Sequence, residues 1–174
     1  MRHSVWILSI AALFLLSHCG QDKEKKDLLQ KIADLESVVY ADSVAQLDPV
    51  EGQKLLQSYN DYADAYPDDS VTPEYLFKGA EIAMNLKMTG QAIEEYQRVV
   101  NNYPDAPKAS YSLFMQAFIY ENQIKQYDVA KKLYQSFLDK YPDHELAEDA
   151  RMSIQYMGKP LEDLIKSWEK QNKE

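Results

Sequence analysis

Tyr-Pro occurs three times in this 174-residue chain, at Tyr66-Pro67, Tyr103-Pro104 and Tyr141-Pro142, and the spacing is almost constant. Proline disfavours the α conformation in the residue before it, so each pair marks a place where a helix has to stop. Eleven, seven and four residues before each Tyr stand Leu55, Tyr59 and Tyr62, then Ala92, Tyr96 and Val99, then Ala130, Tyr134 and Phe137. Steps of 4, 3 and 4 keep such residues on one stripe of an α-helix. The chain is therefore expected to contain three helices of one design. Tyr59, Tyr96 and Tyr134 fall on the buried stripe, and Tyr66, Tyr103 and Tyr141 close the helices, where a ring can pack while its hydroxyl reaches water.

A second helix is expected after each Tyr-Pro. Thr72-Pro73 reads as an N-cap followed by proline in the first helical position, with Leu76, Ala80 and Ala83 as the stripe. Pro107 opens the next, with Leu113, Ala117 and Tyr120 at matching positions. The small residues Ala80 and Ala117 allow close helix crossings. Gly90 and the Gln126-Tyr127-Asp128 stretch mark the turns back into the Tyr-bearing helices. Two antiparallel helices in a period of about 34 residues or slightly more make an all-α helical-hairpin solenoid.

With these residues in place the sequence resembles the tetratricopeptide repeat. Ala92, Tyr96, Val99 and Pro104, then Ala130, Tyr134, Phe137 and Pro142, fit the second helix of the repeat, and Leu76 with Ala80 and Leu113 with Ala117 fit the first. The three or four extra residues per repeat, and Tyr-Pro-Asp at Tyr66, Tyr103 and Tyr141, are similar to a narrower group. These are the envelope lipoproteins of the outer-membrane assembly factor BamD and Tol–Pal-associated (YbgF-like) type. The resemblance spans residues 49–157, about three repeats. Arg151 and Gln155 replace Leu113 and Ala117 in the last one, the polar change a solenoid end requires. The resemblance implies partner binding on the concave face lined by the first helices. That makes Phe77, Glu81 and Met84 in one repeat, and Tyr111, Phe114, Phe118 and Glu121 in the next, the candidate partner-binding residues. The alternative for the aromatic members is packing between repeats.

Residues 1–18 read as an export signal, with Arg2 before the apolar run Val5 to Leu16. Such a run makes about 18 Å of helix, short of the roughly 30 Å hydrocarbon core. Leu16-Ser17-His18-Cys19 then resembles the bacterial lipobox, although His18 stands where a small residue is usual. The resemblance implies cleavage before Cys19, lipidation of Cys19, and, with Gly20 following, an outer-membrane address. Residues 19–48 form a tether and an N-terminal helix whose Leu28, Ile32, Leu35 and Val39 lie on one seam. That seam either docks on the first repeat or joins copies of the chain. Asp48-Pro49-Val50-Glu51 restarts helix with a cap, a proline and an early acid. Residues 158–174 form a capping helix and tail: Gly158 ends one helix and Pro160 opens another through Leu161, Leu164, Ile165 and Trp168.

No reaction centre is legible. A formal charge of −9 argues against nucleic acid as a partner, since phosphate binding needs clustered Lys and Arg. One Cys excludes an intramolecular disulfide and any multi-thiolate metal site. His144 is the one His beyond the signal, beside acids in a turn, so neither a zinc ligand set nor a serine triad is expected. Ser58, Ser70, Ser110, Ser112 and Ser153 have no other His to activate them. The pairs Asp61 with Asp64, Asp68-Asp69 and Glu94-Glu95 read as solvated helix faces and turns. The expectation is a non-enzymatic protein–protein scaffold in the bacterial envelope, without cofactor or metal, held to the membrane by lipid. A self-assembling lipoprotein joined through Leu28 to Val39 is the second reading, and a hydrolytic envelope enzyme the third.

Overall fold

Among the described residues every regular element is helical, as the repeated stripe demands. The structure is a computed structural model that describes residues 4–41, 47–159, 162 and 165, with side chains from residue 22 on. Helices α1 (Ser4–Val39), α2 (Pro49–Ala65) and α3 (Thr72–Asn85) come first. Next are α4 (Thr89–Asn102), α5 (Ala109–Ile119), a π-helical segment (Tyr120–Ile124), α6 (Tyr127–Lys140) and α7 (Ala147–Tyr156). The chain divides into two compact units, Met1–Leu86 and Lys87–Glu174.

The three Tyr-Pro sites build one turn three times. Tyr66, Tyr103 and Tyr141 each cap their helix with φ/ψ of −132/60°, −133/55° and −133/58°. Each donates its N–H to the carbonyl four residues back, and its own carbonyl accepts the N–H three residues on, from Asp69, Ala106 and His144. Six residues past each Tyr, Thr72, Ala109 and Ala147 are buried where the next helix begins. Thr72 is not the expected N-cap. Its hydroxyl donates to the Tyr66 carbonyl at 2.6 Å, Val71 stands at the cap position without a side-chain bond, and the Val71 N–H goes to Asp69. Pro107 likewise stays in the turn, and α5 opens at Ala109.

In the first unit α1 lies along α2, and α2 runs antiparallel to α3. Asp48 caps α2 by accepting the N–H groups of Val50 and Glu51. Leu55, Leu56, Tyr59, Tyr62, Leu76, Ala80 and Ala83 form the interior, with Ile32 of α1 buried beside them. The Tyr75 ring stacks on Tyr59 and meets Tyr62 edge-on, each at 5.0 Å between centroids. Gly79 lets α3 approach α2, for a Cβ there would sit 3.2 Å from Leu56 Cδ1.

In the second unit Leu113, Phe114, Ala117, Ala130, Tyr134, Phe137 and Ala150 make one core, with Ala92, Tyr96 and Val99 buried on α4. Arg151 and Gln155 are exposed, as a polar end requires. The turn before α6 lies at Lys125-Gln126, so of the expected Gln126-Tyr127-Asp128 stretch only Gln126, the N-cap, is in it: Lys125 takes the left-handed conformation (φ 61°), and Lys87 does the same before α4 (φ 60°). Gly90 therefore lies inside α4 instead of forming a turn. Lys125 stands one position farther from Leu113 than Lys87 does from Leu76, so the longer second period carries its extra residue in this stretch. The π-helical segment lies there, and a π turn is how a helix absorbs one added residue without rotating its flanks. Gly158 (φ 70°) follows α7, with the Tyr127 ring against it. Leu161, Leu164 and Trp168 of the expected last helix lie outside the described residues.

Candidate functional site

On α5, Tyr111, Met115, Phe118 and Asn122 step by 4, 3 and 4, one stripe continuing into the π segment. Phe118 is 38% exposed, Tyr111 and Met115 are half-buried, and Asn122 is exposed. The ammonium of Lys108 lies 5.7 Å from the Tyr111 ring centroid, and the Tyr111 hydroxyl donates to Glu145. The repeat spacing places Glu74, Lys78, Glu81 and Asn85 at the corresponding positions of α3. One first helix thus presents an aromatic and thioether stripe, and the other a charged one. A stripe that mixes exposed aromatic surface with polar edges suits a protein partner.

The expected binding residues separate by burial. Phe77 and Phe114 are 7% and 9% exposed and belong to the interior. Phe114 packs edge-on against Tyr134 and Phe137, so neither phenylalanine is available to a partner. Their stripe is rotated inward by one residue per turn from the Phe118 stripe. Glu81 is exposed and Met84 half-buried. Glu121 accepts the Tyr134 hydroxyl at 2.9 Å, so it supports the core from the edge of the stripe. Cys19 lies within α1, and its side chain is outside the described residues.

Two polar clusters hold α1 against the first unit. Just past the middle of α1, Lys25 pairs with Asp69 and its ammonium lies 5.4 Å from the Tyr66 ring centroid. Asp69 also accepts the Tyr62 hydroxyl at 2.8 Å and the Val71 N–H at 3.1 Å. The Lys25 ammonium, with these two donors, holds the Asp69 carboxyl down at about 2. Burial and the Asp69 carboxylate push Tyr62 up to about 12. Near the end of α1, Glu36 accepts from Tyr59 at 2.6 Å and from Lys78 at 2.8 Å. Burial works against the Glu36 charge, yet Lys78 and Tyr59 keep its carboxyl below the usual range. Burial and the Glu36 carboxylate raise Tyr59.

Spacing alone does not reveal these partners, but a signal is present. Lys25 and Glu36 bracket Leu28, Ile32 and Leu35 and stand three helical turns apart, so they share the docking face of α1. Asp69 and Glu95 depart from the expected solvated carboxylates. Asp69 is a three-way acceptor, and Glu95 is only 3% exposed and pairs with Arg98 at 3.3 Å.

His144 is a turn-building residue. Its Nδ1 accepts the Leu146 N–H at 3.2 Å, and its Nε2 lies 3.0 Å from Ser110 Oγ. A ring nitrogen that accepts has no proton, so the proton of the neutral ring is on Nε2 and is donated to Ser110. The serine hydroxyl is thus an acceptor in this pair, the reverse of what an activated nucleophile needs. Among the described residues no group of three His, Cys, Asp or Glu is placed to hold a metal ion.

No curated protein matches the chain. A family model described as tetratricopeptide repeat matches residues 74–106 and 111–144. The matched segments run from the α3 stripe through the turn after Tyr103, and from the α5 stripe through the turn after Tyr141, where the repeated turns and buried stripes are found. The chain carries tetratricopeptide repeats in these two segments.

Proposed function

We propose that this chain is a protein–protein interaction scaffold of the bacterial cell envelope, anchored by lipid on Cys19 and engaging its partner through the first helices of its repeats. The tetratricopeptide match supports the scaffold class. The observation that carries the binding reading is the exposed Phe118, flanked by Tyr111 and Met115 on one stripe of a helix whose other faces are committed to the core. Among the described residues Ser110 with His144 is the pairing that resembles a hydrolytic dyad, and it has its proton on the wrong side for nucleophile activation.

The anchoring part rests on the lipobox-like Leu16 to Cys19 and on the charged sequence directly after it. Among the described residues no helix is long and apolar enough to cross a membrane. Two or more acyl chains, at about 0.8 kcal/mol per buried CH₂, hold a protein stably without such a helix. Removal of the signal takes away Arg2 and no acid, so the mature body is more acidic than the whole chain and gains nothing from anionic headgroups. Sorting to the outer membrane belongs to the same reading.

Two variants test the halves separately. Cys19→Ser should abolish incorporation of labelled palmitate and release the protein from the membrane fraction. A variant that stays membrane-bound contradicts the anchor. Phe118→Glu should keep the helical spectrum and lose the cross-linked envelope partner, and retention of that partner contradicts the binding stripe.

A further inference from the structure

Helix α1 lies along the first unit as a strut. It is held at two points three helical turns apart, by Lys25 on Asp69 in the turn between α2 and α3 and by Glu36 on Lys78 of α3 and Tyr59 of α2, with Ile32 buried between them. The helix rises about 17 Å from Lys25 to Glu36, so two fastenings at that separation prevent both sliding and swivelling. The direction is set as well. Lys25 lies against the turn from Tyr66 to Ser70, and Leu35 and Val38 lie with Val50 and Gln53 at the opposite end of α2. From Cys19 to Lys25 the backbone is continuous helix, a rise of about 9 Å.

Resting on the lipid-anchor reading above, we infer that the first unit stands with its Tyr66–Ser70 turn toward the lipid surface and the Val38–Val50 end pointing away. The orientation comes from the strut and not from attraction. The lipid-proximal end carries Asp61, Asp64, Asp68 and Asp69, while Lys23, Lys25 and Lys26 on α1 are balanced by Asp22, Glu24 and Asp27, so this end is acidic and draws nothing from anionic headgroups. With the strut and not charge setting it, an anionic or a neutral bilayer should give the same orientation. Both clasps face named groups throughout: Asp69 meets Lys25, Tyr62 and the Val71 N–H, and Glu36 meets Tyr59 and Lys78.

The test uses the full acylated protein in phosphatidylcholine vesicles, with and without phosphatidylglycerol, carrying a headgroup quencher. A fluorophore is attached at Ser70→Cys or Gln53→Cys; both positions are exposed, and the acylated Cys19 does not react. About 18 Å of α2 separates Gln53 from Ala65 next to the turn. Quenching should be several-fold stronger at position 70 than at 53 in both lipid mixtures. Lys25→Ala combined with Glu36→Ala should bring the two positions to parity while the protein still floats with the vesicles. Parity in the unmodified strut, stronger quenching at position 53, or a ratio unchanged in the double variant overturns the orientation while leaving the anchor intact. Failure of the acylated protein to float contradicts the anchor itself, and the orientation with it.

Discussion

Tyr59 of α2 donates its hydroxyl proton to Glu36 of α1 at 2.6 Å. At the matching position of α6, Tyr134 donates to Glu121 at 2.9 Å. Both rings are wholly buried, so each tyrosine fills the core with its ring and fastens an earlier helical segment with its hydroxyl. A hydrogen bond to a charged acceptor contributes about 1.5–3 kcal/mol. Tyr59→Phe should therefore lower the unfolding free energy by about 2 kcal/mol, with the helical spectrum unchanged. Urea unfolding followed by circular dichroism checks this, and an unchanged midpoint would show that Glu36 gains nothing from the phenol.

The Asp69 clasp makes α1 docking sensitive to acid. Its carboxyl is held at about 2, below its ordinary range, so the unfolded chain binds the proton more readily than the folded one. The stabilisation is complete above about pH 4 and is lost as pH falls through about 2. Asp69→Asn should flatten the acid limb of the stability–pH curve in that window and cost stability at neutral pH. Thermal unfolding of both proteins across the window measures the difference.

Two buried polar atoms on α5 have no partner among the described residues: Ser112 Oγ and Gln116 Nε2, one helical turn apart. At the matching positions α3 carries Tyr75 and Gly79. A buried polar group left unsatisfied costs about 1–3 kcal/mol. Ser112→Ala should raise the unfolding free energy by about 1 kcal/mol, and Gln116→Met should raise it in the same direction. Equal or lower stability in calorimetry would show that these groups are satisfied in solution.

The π-helical segment supplies a length test. Deleting Asn122 gives the stretch from Leu113 to Lys125 the same length as that from Leu76 to Lys87, so Tyr120–Ile124 should revert to α-helix. The variant should fold with a change in stability within about 1 kcal/mol, whereas deleting Gln97 inside α4 should rotate Val99 off its buried stripe and unfold the second unit. Circular dichroism and melting temperature separate the two outcomes.

Helix positions and their buried stripes were legible because Tyr-Pro stops a helix for a steric reason that does not depend on context. Tyr66, Tyr103 and Tyr141 consequently adopt one backbone conformation. The turns were less legible. Lys87 and Lys125 hold the left-handed conformation that usually falls to glycine, and nothing in a lysine announces it. The face of α5 was readable only to within one residue per turn, enough to list Phe114 with Phe118 but not to separate them. Their difference comes from Tyr134 and Phe137 closing over Phe114, a tertiary fact. Lys25 and Glu36 are not singled out by the sequence, and Asp69 reads there as solvated, because a charge on a helix or in a turn reads as solvated until its partner's position is known.

The central claim is that the Phe118 stripe binds a protein. Its most direct test is a photo-crosslinking amino acid at position 118 in the full chain in cells, with the same residue at exposed position 94 on α4 as control. The account predicts one discrete protein adduct from position 118 that is absent from position 94 and lost when Tyr111 and Met115 are both changed to Ala. Absence of an adduct at 118, or the same adducts from both positions, would contradict it.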